Sequence, residues 1–414
     1  MKEAILSGIN NPDALEKLYR ENKSGFKQEF KGLYPTLSSN ALADFWLARL
    51  NYEADDISWG TRRELLLVIT VSFVAGFIAR IPAFFPVSED FFYPRNIGFI
   101  VFPALVAYFA WREKVSTKTL VLLFGLMGIC LSYINLLPAA NESDTLILAC
   151  LHLPLLLWFI LGAAFTGDNR STPDKWLGYL RFNGELIVMT TIILISGAIL
   201  SGVTIGLFTL TGINIEQFYL ENVAIFGVAA TPVVGSYLTQ TNPQLVNKVS
   251  PVIARVFSPL VLIMLVVYLF ATLFSAKNLY HDRDFLIMFN LLLVGVMALI
   301  FFSVAEASRG SKGNSGSLVL FLLAVLTILV NGFALSAIFF RITEWGITPN
   351  RLAVLGANIL MLVNLVLVTV ELYRCVTRKS AQAQVGNAIA AYLPIYALWA
   401  AIVVFFFPWL FGLQ

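Results

Sequence analysis

The chain has 414 residues, 58% of them hydrophobic and only 13% charged, with a formal net charge of +3. A mean hydropathy of +0.79 lies far from the soluble average and excludes a water-soluble globular enzyme. The slight positive balance gives no case for a nucleic-acid partner, because membrane topology accounts for the basic residues.

Residues 1–60 read as a small cytoplasmic helical module. Asn11 and Pro12, with Asp13 and Glu16 in the first turn, predict a helix start with Leu15, Leu18 and Tyr19 on one face. Ser24 is expected to cap a second helix carrying Phe26, Phe30 and Leu33 and stopped by Pro35. Asn40 is expected to cap a third, whose Ala41, Phe45, Trp46, Leu47 and Leu50 offer a broad apolar surface. Three short helices bury little alone, so the module either packs on the inner face of the membrane domain or binds a cytoplasmic protein partner. Residues 1–60 hold no apolar core of signal-peptide length, and the first span is expected to insert as its own signal.

Residues 61–414 read as the transmembrane domain. A bilayer core of about 30 Å takes roughly 20 helical residues, and runs of that kind recur from Leu65 almost to the C-terminus. Spans are expected near 65–85, 97–111, 119–137, 145–165, 185–209, 222–239, 257–276, 285–305, 317–340, 352–372 and 387–410. Alternate connections carry Arg62 and Arg63; Arg112, Lys114 and Lys118; Arg170, Lys175 and Arg181; Lys248 and Arg255; Arg309 and Lys312; Arg374, Arg378 and Lys379. The opposite set holds only Arg95, Lys277, Arg283, Arg341 and Arg351. Positive charge is retained on the cytoplasmic side, so the N-terminus is expected inside and the C-terminus outside. The predicted fold class is therefore all-α: a polytopic protein of about eleven transmembrane helices with an N-terminal helical module.

Within the connections, Ser171 to Asp174 begins a predicted interfacial helix displaying Trp176, Leu177, Leu180 and Phe182. The segment from Asn242 to Val256 is a weaker version, and Gly310 to Gly316 reads as a flexible hinge. Cys130 and Cys150 fall on consecutive spans and Cys375 in a connection, which gives no disulfide framework. Spans one and six carry helix breakers, Gly76 with Pro82 and Gly227, Pro232 and Gly235, as discontinuous transporter helices do.

Ionisable groups within a bilayer are costly and default to functional candidates. Arg80, near the outer end of the first span, is expected either to snorkel to headgroups or to pair with Glu89 or Asp90 of the first external loop. Arg95 stands on the same side. His152 lies just before Pro154 in the fourth span and suits a proton relay, although a neutral imidazole bonded to a freed carbonyl is the simpler reading. No second ligand stands at metal spacing, so neither a metal nor a cofactor is expected. Asn290, Asn331, Asn358 and Asn364 suit interhelical hydrogen bonds. Glu185, Glu306 and Glu371 read as solvated helix ends, and His281 as a solvated loop residue beside Asp282 and Asp284.

The string Arg341-Ile-Thr-Glu344-Trp345-Gly346-Ile-Thr348-Pro349-Asn-Arg351 reads as a tight external turn: Gly346 permits the bend, Thr348 caps the tenth span, and Arg341, Glu344 and Arg351 lock it by charge. With Ala79-Arg80-Ile-Pro82 and Phe92-Tyr93-Pro94-Arg95-Asn96-Ile97-Gly98, it resembles uncharacterised bacterial membrane proteins grouped as domain of unknown function 4153, in particular members from the Bacteroidetes. The resemblance covers about residues 60–410, implies a bacterial inner-membrane location, and carries over no catalytic residue. The leading expectation is a transporter-like or ligand-binding protein whose outer polar vestibule draws on Arg80, Glu89, Asp90, Arg95, His152, Arg341 and Glu344. Membrane lipids and a small-molecule or lipid-linked ligand are the expected partners. The alternatives are a membrane enzyme acting on lipid-linked substrates, with Glu89 or Asp90 as its carboxylate, and a scaffold or sensor acting through residues 1–60.

Overall fold

The computed structural model describes every residue except 1, 22, 38–39, 53–58, 139–142, 169–171, 211–212, 244, 246–248, 274–282, 308–313, 378–381 and 413–414. Arg170, Lys248, Lys277, His281, Asp282, Arg309, Lys312, Arg378, Lys379, Ser171 and most of the Gly310–Gly316 stretch fall outside the described residues. Helix is the only regular structure among those described, and the chain divides into two units, Met1–Trp59 and Gly60–Gln414.

Among its described residues the first unit holds four helices: α1 (Lys2–Ser7), α2 (Pro12–Glu21), α3 (Lys23–Leu37) and α4 (Ala41–Tyr52). Asn11 Oδ1 accepts from the Asp13 and Ala14 amides, and Asn40 Oδ1 from those of Leu42 and Ala43, so both are N-caps. α3 corrects two expectations. It begins at Lys23, which puts Ser24 inside the helix, and it runs past Pro35 to Leu37, because a proline in the last turn removes little hydrogen bonding and Leu37 packs on the core. That core gathers Leu15, Tyr19, Phe26, Phe30 and Trp46 around α4, with the Phe26 and Trp46 rings 5.1 Å apart. The apolar surface expected on α4 is split: Trp46 is 2% exposed and Phe45 is 59% exposed.

In the second unit helix covers most of the described residues of each expected apolar stretch. The elements are α5 (Arg62–Ala79), the short α6 (Ile81–Phe84), α7 (Glu89–Arg112), α8 (Thr117–Leu136), α9 (Asp144–Thr166) and α10 (Pro173–Leu210). They continue with α11 (Glu216–Thr241, with a π turn at Leu220–Ala224), α12 (Val249–Leu273), α13 (Arg283–Ala307), α14 (Asn314–Trp345), α15 (Pro349–Val376) and α16 (Gln382–Ala401, extended through a π turn at Ile402–Phe406 to Leu410). Among the described residues nine of these are long and apolar enough to cross a membrane, which makes the chain a polytopic helical membrane protein. α5 falls short of that measure because Arg62, Arg63 and Glu64 occupy its first turn.

Two apolar cores organise this unit. One joins α5, α7, α8, α9 and α11 around Tyr108, Phe109, Leu157 and Val233; the other joins α12 to α16 around Leu293, Ile300, Leu323, Val368 and Leu393. α10 serves both, giving Tyr179 and Phe182 to the first and Leu177 and Leu180 to the second. The expected separate interfacial helix is thus corrected: residues 173–182 are the first turns of a continuous 38-residue helix, packed on the two cores by their aromatic and aliphatic side chains. The Phe109 and Phe182 rings meet at 4.9 Å.

Small residues set the closest approaches, as in helix packing without a strong hydrophobic drive between helices. The Phe226 ring occupies the space a Cβ at Gly76 would need, the Phe302 ring does the same at Gly184, and the Trp399 ring at Gly356. The break in the first span comes after Ala79, where the chain turns into α6 with Pro82 in its first turn. Pro232, by contrast, sits inside an unbroken helix, and the irregularity of α11 is the π turn that precedes Gly227.

Candidate ligand-binding site

The charged residues expected at the outer end are dispersed. Arg80 Nη2 donates to Asn222 Oδ1 at 2.9 Å and Nη1 lies 3.8 Å from Glu221 Oε2, so its acidic neighbour comes from α11 and not from Glu89 or Asp90. Glu89 and Asp90 fill the first turn of α7 behind the Ser88 cap, where the helix dipole favours carboxylates. Arg95 is 4% exposed and donates to the Leu137 and Pro138 carbonyls at 2.9 Å, and to Ile134 O, closing the C-terminal end of α8. Beside it Asn96 and Asn135 exchange amide hydrogen bonds at 2.9 and 2.8 Å.

Arg341 and Arg351 face the Trp345 ring at 5.2 and 5.6 Å, and Arg351 Nη1 caps the Trp345 and Gly346 carbonyls. Gly346 has φ +76°, Thr348 accepts from the Arg351 amide, and Pro349 opens α15, which is the expected turn chemistry. Cation–π stacking and carbonyl capping, more than a charge lock with Glu344, characterise the described contacts there.

Two carboxylates expected to be solvated are buried: Glu185 is 7% exposed and Glu306 8%, the latter 3.7 Å from Arg181 Nε. Glu371 pairs with Arg374 at 2.7 Å on a more open surface. Sequence reasoning also passed over Glu64, which is 6% exposed and accepts from Tyr108 Oη and Arg112 Nη1, each at 2.9 Å. Arg112 Nη2 extends that cluster to Gln240 O on α11 at 3.1 Å. Its only sequence signal was a carboxylate beside two arginines at the start of the first span.

Two clefts lined by described residues hold space for a ligand. One, of about 670 Å³, lies between α7 and α9 and brings together Asp90, Tyr93, Arg95 and Cys150. Its single cation is already committed to backbone carbonyls. The other, of about 680 Å³, lies on the seam between the two cores and is walled by α7, α9, α10, α13, α15 and α16. Its lining is mainly aromatic and aliphatic, and it opens among outward-facing apolar residues such as Leu155, Ile187 and Val294, 51%, 66% and 49% exposed. Both volumes are within the range of small-molecule sites, which in bundles form between helices.

Polar groups are few in the larger cleft. His152 Nδ1 lies 2.9 Å from Leu148 O; since a carbonyl only accepts, that nitrogen carries the proton and Nε2 is left as an acceptor. Trp158 Nε1 donates to Asn183 Oδ1 at 2.8 Å. Tyr396 Oη accepts from the fully buried Asn364 at 3.0 Å and turns its own hydrogen to the Met297 thioether at 3.5 Å. The described lining holds no Lys, Arg, Asp or Glu. His152 is thus the one expected site residue in this cleft, while Asp90 and Arg95 share the smaller one. Among the described residues no three His, Cys, Asp or Glu converge as metal ligands. No family model, no curated protein and no solved structure matches the chain.

Proposed function

We propose that this protein is an eleven-span, ligand-binding component of a bacterial inner membrane, a member of domain of unknown function 4153, which takes a hydrophobic molecule from the bilayer into the 680 Å³ cleft. The observation that carries this reading is a roomy apolar cavity on the seam of two packed cores, opening among exposed apolar side chains of membrane-length helices. The transporter-like expectation is kept in modified form: lateral capture from lipid is favoured over entry through a charged vestibule. Arg80 and Arg95, the cations of that vestibule, are engaged within the fold. The family and location rest on the motif resemblance, and the eleven spans on the coincidence of apolar stretches with helices.

Photolabelling in lipid nanodiscs with a diazirine-bearing long-chain hydrocarbon tests the reading. Adducts are expected on Met297 and on neighbouring lining residues, and Ala298→Trp, which fills the cleft, should remove them while sparing outward Ile195 and Ile199. Labelling confined to outward residues in the unaltered protein would defeat the proposal.

A further inference from the structure

The described polar groups of the larger cleft are few and include no Lys, Arg, Asp or Glu, and they restrict what can bind there. Tyr396 is the clearest case. Asn364, wholly buried on α15, donates to its oxygen through Nδ2 while its own Oδ1 has no partner among the described residues, an arrangement that turns the phenol hydrogen away from α15. The acceptor it finds is a thioether, among the weakest that proteins offer. Trp399 Nε1 is a second donor on the same helix, and it has no acceptor among the described residues. Trp399 is held close by Gly356, where its ring fills the place of a side chain. Tyr396, whose hydroxyl meets only a thioether, and a histidine nitrogen therefore stand in a largely apolar lining, while the Trp399 Nε1 donor is enclosed behind it.

What is missing is equally restrictive. A phosphate or carboxylate buried in a low-dielectric site needs cationic partners, commonly Arg or Lys. The described lining supplies none. We infer that the cleft accepts a neutral lipophile, an acyl or isoprenoid chain ending in a carbonyl or hydroxyl oxygen, whose oxygen displaces Met297 as the acceptor for Tyr396. Lipid phosphates and lipid pyrophosphates are excluded as occupants. This inference rests on the cleft being a ligand site and specifies the chemistry of its ligand.

The experiment compares three diazirine probes of equal chain length in the purified protein: a hydrocarbon, a methyl ketone and a monophosphate. The ketone is expected to label lining residues at about one-tenth of the hydrocarbon's half-saturating concentration, the equilibrium value of one neutral hydrogen bond. The phosphate is expected not to label them. Tyr396→Phe should erase the ketone's advantage and leave hydrocarbon labelling unchanged, whereas Met297→Leu, which removes the competing thioether, should preserve or enlarge it. Should Tyr396→Phe fail to fold, competition in the unaltered protein decides: unlabelled ketone must displace the ketone probe about tenfold better than the matching alkane. Equal labelling by all three probes, or equal competition by ketone and alkane, overturns the inference while leaving the cleft as a ligand site. Absence of hydrocarbon, ketone and phosphate adducts from the cleft overturns both.

Discussion

Glu64 shows how far a single buried carboxylate can be committed to structure. It ties α5 to α7 through Tyr108 and Arg112, and Arg112 continues to α11. Glu64→Ala leaves a phenol and a guanidinium without their acceptor. Because the Arg112 side chain keeps 30% exposure, the expected loss is about 2–3 kcal/mol, below the full cost of breaking a buried pair. Thermal unfolding in detergent should show it, and Glu64→Gln, which still accepts from Tyr108, should lose less. In the N-terminal unit Glu16 titrates below its ordinary 4.5, chiefly through the hydrogen bond from Arg20 and also through Arg49. A depressed carboxylate stabilises the fold above its unfolded value and loses that contribution as pH falls through the lower folded value. Hydrogen exchange of the full protein, corrected for intrinsic rates, should therefore show protection of peptides from Pro12–Glu21 declining below pH 4.5. In Glu16→Gln that decline should be smaller.

At the scale of elements, glycine-to-aromatic contacts decide how the helices meet. The rings of Phe226, Phe302 and Trp399 occupy the Cβ positions of Gly76, Gly184 and Gly356. Gly356→Ala should cost about 1–3 kcal/mol by overpacking. It should also push Trp399 toward the larger cleft, so hydrocarbon labelling of Met297 and Tyr396 is expected to fall along with thermal stability. Gly332→Ala, which meets open space on α14, should leave both unchanged and serves as the control. Asn290, Asn358 and Asn331 act here as the sequence suggested: Asn358 Nδ2 donates to Asn290 Oδ1 at 2.7 Å, and Asn331 Nδ2 to Asn358 O at 3.2 Å. Helix spacing in the second core thus depends on amides as well as on Leu and Val packing.

For the whole molecule, the proposed threading makes a strict demand. Eleven spans place the two termini on opposite sides of the membrane, and any even number places them together. An alkaline phosphatase fused after Gln414 should be active and a green fluorescent protein fused there dark. The reverse pattern would either change the number of spans by one or invert the proposed orientation, and the same pair of reporters at the N-terminal end separates these. The seam between the two cores is the corresponding large-scale feature, since α10 contributes to both and the larger cleft opens beside it.

Composition and the spacing of apolar runs were enough to specify an all-helical membrane protein, because a bilayer sets both the length and the polarity of any segment that crosses it. Local chemistry was legible too: Asn11, Asn40 and Thr348 cap helices, and Gly346 takes a positive φ. These depend on neighbours within a few residues. Partnerships across the bundle were not legible. Arg80 meets Glu221 and not Glu89, Arg95 closes α8, and Trp176 to Phe182 turn inward, because each outcome depends on which helix lies alongside. The larger cleft was invisible for the same reason. It is bounded by six helices drawn from Phe102 to Ala400, and only their packing brings His152, Met297 and Tyr396 to one cleft.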